Sequence, residues 1–263
     1  MLQRLVRRLQ DATRRREVSA VDWPTAMVAY ALHMSEEPEL LHEGLTVYAD
    51  FAQCVDATAR RHSLARLADF VQQRRGSGWR ALLLYAMGEQ TQPELSERAA
   101  SLAIMSAAPS AADASPLSGA RAIVELLARE DAPASMLGGL LSLPDLRFLP
   151  MLSPLFDLPR PRRQALLAGV TCTLNSLSSA FVLQMLEADP TLASEATAAL
   201  LRMAGKTPLV ADVALPIPTW AYKSPTPQPL HAWSLAEFLP RMLPRLEPHL
   251  SPQQIESLRV AFA

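Results

Sequence analysis

Residues 140–161 read LLSLPDLRFLPMLSPLFDLPRP. Pro144, Pro150, Pro154, Pro159 and Pro161 stand among Leu141, Leu143, Leu146, Phe148, Leu149, Met151, Leu152, Leu155, Phe156 and Leu158. Proline lacks a backbone donor and crowds the preceding turn, so no long straight helix runs through this stretch. A solvated linker, in turn, would be poor in leucine and phenylalanine. One-turn helices and tight turns packed into a core satisfy both constraints. The stretch predicts a buried corner, 140–161, between a helical N-terminal half, 1–139, and a helical C-terminal half, 162–263, of one continuous domain.

A second segment repeats its spacing. Phe238-Leu239-Pro240 with Pro244 and Gln254 matches Phe148-Leu149-Pro150 with Pro154 and Gln164 at an offset of 90 residues, and Glu247 falls opposite Asp157. A true repeat shows self-similarity at a fixed period more than once, and this one is seen once.

Outward from the corner, both halves read as helices. Leu2, Leu5, Val6 and Leu9 form one apolar face of a first helix, with arginines elsewhere. Pro24 and Pro38 open the next two, the second reaching about Arg61. Leu64, Leu67, Ala68 and Val71 line a shorter helix. Trp79 to Met87 is apolar nearly all round and predicts a central buried helix, stopped by Gly88 and followed by one from Pro93 to about Ala107. Ala120, Ile123, Val124 and Leu127 mark another, and a short one follows Pro133. Past the corner come 162–174, 178–188 and 191–203, the last begun by Asp189-Pro190. Ser234 with Glu237 and Ser251 with Gln254 have capping-box spacing for two final helices, with Pro240, Pro244 and Pro248 expected to break the chain between them. No stretch alternates like a strand. The fold class is all-α, with about 10–13 short helices.

Asp189, Pro190, Ala193 and Ala196, continued by Ala199 and Leu200, follow the Asp-Pro-x-x-Ala-x-x-Ala spacing of a repeat helix. Together with helices of 10–16 residues and short connections, this resembles HEAT- or armadillo-like α-solenoids. The resemblance covers one helix; an irregular helical bundle is the other architecture the pattern allows.

Composition narrows the class. Of 263 residues, 49% are hydrophobic and 19% charged, which is globular rather than disordered, and a net charge of −1 supplies no field to steer nucleic acid. Cys54 and Cys172, far apart, make no disulfide framework and point to a reducing, cytoplasmic setting. No apolar run approaches the ~20 residues of a membrane span. Lys206 and Lys223 are the only lysines and Asn175 the only asparagine, a bias of GC-rich bacterial genomes.

Residues 204–231 differ from everything around them. AGKTPLVADVALPIPTWAYKSPTPQPLH is a long proline-rich connection in which Pro216, Pro218, Pro225, Pro227 and Pro229 favour extended backbone. Trp220, Tyr222, Lys223, His231 and Trp233 are the partner-binding candidates, since Trp and Tyr often carry interface energy and stiff backbone loses little entropy on docking. The competing reading has Trp220 and Trp233 turned inward to pin the segment.

Catalytic chemistry is sought with little return. Gly205-Lys206-Thr207 ends like a phosphate-binding loop, but Leu200 stands where that motif needs glycine. Glu39-x-x-His42 has the spacing of di-metal helical sites, beside His33, Glu36, Glu37 and Glu43, yet no second pair accompanies it. No Gly-x-Ser-x-Gly elbow is present. Arginines at 14–16, 60–61, 74–75 and 160–163 read as solvated helix faces rather than a nucleic-acid stripe. No metal, cofactor or catalytic residue is assigned. The sequence leads to a non-enzymatic module that binds another protein, as an adaptor, a secretion-system accessory factor or a toxin-neutralising immunity protein. A helical metal-dependent hydrolase centred on His33, Glu39 and His42, with His231, is the alternative.

Overall fold

The computed structural model describes residues 57–73, 79–89, 91–107, 117–129, 132–143, 146–205 and 235–262. Among these residues the regular structure is helical throughout: eleven α-helices, two 3-10 turns and no strand. The chain divides into two compact units, Met1–Ile123 and Val124–Ala263, and residues 140–161 lie inside the second.

In the first unit, α1 (Ala57–Gln73) packs on α2 (Trp79–Gly88) and α3 (Pro93–Ser106), which also pack on each other. The sequence places a helix end near Arg61; instead α1 runs unbroken through it, since no glycine or proline interrupts 57–73. Leu64, Leu67 and Val71 recur at helical spacing and are buried. Every residue from Ala81 to Gly88 is buried, as a stretch apolar on all sides requires, while Arg80 at the helix start is exposed. Ala99, Ala100 and Ala103 are fully buried on α3, where small side chains let a neighbouring helix come close. Helix α4 (Leu117–Leu127) spans the division between the units.

The second unit opens with α5 (Ser135–Leu141), whose seven residues are all buried. The proline-rich corner then forms a 3-10 turn over Leu146–Leu152 and a one-turn helix, α6 (Ser153–Phe156). Three of its prolines stand where donors are not needed: Pro154 in the first turn of α6, Pro159 as N-cap of α7 (Arg160–Gly169), and Pro161 in that helix's first turn, while Pro150 sits inside the 3-10 turn. Phe148, Leu152 and Leu155 are buried, each contributing roughly 1.5–3 kcal/mol. The 3-10 turn and α6 both pack against α8 (Ser176–Ala188), where the Phe156 and Phe181 ring centroids lie 5.6 Å apart at 34°. Between these buried residues, Pro150, Ser153, Pro154 and Pro159 are exposed, and the stretch lies within the second unit.

Beyond it, α9 (Ala193–Ala204) follows the 3-10 turn Pro190–Leu192, and α10 (Leu235–Leu246) and α11 (Pro252–Phe262) complete the unit. Helix α7 packs on α5 and α9, α8 on α9, α9 on α11, and α10 on α11. At the starts of α7 and α9, Gln164 donates to Glu195 at 2.6 Å and Arg163 pairs with Asp189 at 2.9 Å. At their ends, Arg202 donates to the Leu167 carbonyl at 2.6 Å. Start on start and end on end, the two helices run parallel.

Two helix boundaries expected from the sequence are corrected. Helix α7 stops at Gly169, and β-branched Val170, Thr171 and Thr173 lie in the following non-helical connection. Pro240 and Pro244 do not break the chain but sit inside α10. Spaced by four, both prolines are on its exposed side, while Met242 and Leu246 are buried. The 90-residue sequence echo therefore has no structural counterpart: 146–152 is a 3-10 turn, and the matching prolines lie in a continuous α-helix.

Gly169 is fixed by a close approach. A Cβ there would lie 2.4 Å from the Ala134 Cβ and 2.8 Å from the Ala134 carbonyl carbon. Gly169→Ala should therefore destabilise the protein by about 1–3 kcal/mol, although the same change in an open helix gains about 1 kcal/mol. Thermal unfolding reads the sign, and a raised melting temperature would show that the helices do not meet so closely. Adding Ala134→Gly should restore only part of the loss, because the backbone carbon stays in place.

Candidate functional site

Trp220, Tyr222, Lys223, His231 and Trp233 lie outside the described residues, as do His33, Glu39, His42 and Cys54. What the structure shows around the proline-rich segment is its frame. The segment is flanked by Gly205, at the end of α9, and Leu235, at the start of α10, and both helices pack on α11. Arg245 of α10 pairs with Glu187 of α8 at 2.9 Å, on the surface.

Elsewhere the polar side chains converge on helix ends. In the first unit Glu89 is wholly buried, and its Oε1 accepts from the Thr91 amide at 3.1 Å, the Thr91 hydroxyl at 2.8 Å and the Gln92 amide at 3.0 Å. Gln92 is the N-cap of α3 and makes no side-chain cap of its own, so the Glu89 carboxylate serves that helix's unpaired donors. Arg60 of α1 donates through Nη1 to Glu89 at 3.3 Å and to the Thr91 hydroxyl, while the Tyr85 hydroxyl donates to the Arg60 carbonyl at 2.7 Å. One buried ion pair thereby joins three helices.

In the second unit Arg162 donates to the Leu127 carbonyl from Nε at 3.1 Å and Nη2 at 2.9 Å, and to the Ala132 carbonyl at 2.9 Å. The planar guanidinium fork serves two carbonyls through two of its nitrogens. Arg60, Arg162 and Arg163 thus do not lie on solvated helix faces, as their sequence context suggests; Arg61 and Arg160 are exposed. Neither the Arg60 nor the Arg163 Nε has a partner.

Asp189 caps the turn ahead of α9 as its sequence predicts, accepting from the Thr191 amide at 3.0 Å and hydroxyl at 2.6 Å. The Thr191 hydroxyl and amide, with Arg163 and Arg160 beyond them, hold its carboxyl below the ordinary value, while partial burial opposes them. A carboxyl depressed in the folded state stabilises the fold above its ordinary pKa of about 4 and loses that contribution as pH falls through the folded value. Asp189→Asn should therefore reduce the slope of stability against pH on the acid side, measured by denaturation at stepped pH. An unchanged slope would mean that another carboxylate dominates it.

Chain comparisons add nothing to this picture. No family model, curated protein or solved structure matches it.

Among the described residues no group of three or more His, Cys, Asp or Glu side chains could hold a metal ion, and no helix is long and apolar enough to cross a membrane. Cys172 is buried, with its Sγ 3.9 Å from the Met203 sulfur, the small apolar role its sequence neighbours imply. Asn175, the lone asparagine, is the polar residue the sequence reading passed over. Its Oδ1 accepts from the Leu177 and Ser178 amides at 2.9 Å each, Ser178 Oγ accepts from the Asn175 amide, and its Nδ2 donates to the Leu141 carbonyl at 2.7 Å. The signal was an Asn-x-x-Ser spacing that ends on Ser178, where the sequence places the helix start.

Proposed function

We propose that this protein is a non-enzymatic protein-binding module of the adaptor type, with a short HEAT- or armadillo-like stack in its second unit and the 205–230 segment as its contact surface. Parallel packing of α7 on α9, with α11 next against α9 and α8 against its side, supports the stacked reading, because in such arrays each pair of helices meets only its neighbours.

The carrying observation is a break in an otherwise regular ladder. The connections after α6, α7, α8 and α10 take three, six, four and five residues, whereas thirty residues, 205–234, separate α9 from α10. Side-chain ties across the stack join residues 26 to 35 apart, as in Arg163–Asp189 and Arg202–Leu167. Arg245–Glu187 spans 58, leaving 28 once those thirty residues are set aside. The proline-rich stretch is thus much longer than the other connections of the unit. Connections of such length are often functional. Trp220 and Tyr222 supply rigid contact area, with Lys223, His231 and Trp233 beside them.

The test is capture from an extract of the source cells, followed by titration of the partner so identified. Replacing Trp220 and Tyr222 together with alanine should weaken that partner at least about tenfold, with helical content and melting temperature unchanged. A folded double variant binding its partner as tightly as the parent protein would remove the segment from the interface.

A further inference from the structure

We draw no further inference here: the strongest candidate, the buried Arg60–Glu89–Thr91 cluster between α1 and the start of α3, is the helix-capping network already described, and nothing in the structure shows what would reach its one bare nitrogen, Arg60 Nε.

Discussion

Glu89→Ala is expected to destabilise the first unit by about 3–5 kcal/mol, the range for removing one member of a buried ion pair. The substitution strips four donors of their acceptor at once. The Arg60 guanidinium loses its counter-charge in a site where its side chain is only 10% exposed, and the Thr91 and Gln92 amides lose the oxygen that caps α3. Glu89→Gln keeps a carbonyl oxygen for the two amides but no charge for Arg60, and should fall between the parent and Glu89→Ala. Pairing Glu89→Ala with Arg60→Met should recover part of the loss, since the stranded charge is then gone while the cap is still missing. Denaturant midpoints at constant slope separate these cases. If Glu89→Ala costs less than about 1 kcal/mol, the pair behaves as an exposed one and the buried reading is wrong.

Asn175→Ala is expected to cost about 2–4 kcal/mol. Loss of an N-cap typically accounts for about 0.5–2 kcal/mol, and stranding a buried carbonyl for about 1–3 kcal/mol more. The two parts can be read separately because the two ends of the amide do different work. Asn175→Asp retains an oxygen for the Leu177 and Ser178 amides and places negative charge at a helix N-terminus, but it has nothing to donate to Leu141. Hydrogen exchange in the first turn of α8 should therefore stay slow in the aspartate variant and quicken in the alanine one, while both lose the tie to α5. Both variants lying within about 0.5 kcal/mol of the parent would reduce Asn175 to an ordinary surface position.

How much of this was readable beforehand divides by the range of the interaction. The Ser251–Gln254 box needs only two residues three apart, and both of its hydrogen bonds are present. The same holds for the Asp189-Pro190 start and for the apolar Ala81–Gly88 stretch of α2, where local pattern leaves few options. Pro240 and Pro244 misled because their cost depends on which side of a helix meets water, and that is decided by α11 rather than by α10. Arg60 and Arg162 misled for a similar reason. An arginine on a helix reads as solvated until a helix end 29 to 35 residues away in sequence is brought beneath it. The binding candidates between Lys206 and Trp233 rest on composition and on the length of the connection.

The narrow spread of those separations bears on how the chain is made. A ribosome releases the polypeptide from its N-terminus at about 5–20 residues per second, so each rung of the α7–α9 ladder becomes available within seconds of its predecessor. Contacts of such modest span close quickly, because little chain entropy is spent on each loop. Arg162 can seal the end of α4 before α9 has been synthesised, and Arg202 can seal the end of α7 before α10 has. Assembly of the second unit in order of synthesis follows, with one pause built in. The fifty-eight residues after Ala204, through Phe262, must emerge before α11 can cover α9 and α10 can settle on α11, and through that interval one side of α9 waits without its neighbour.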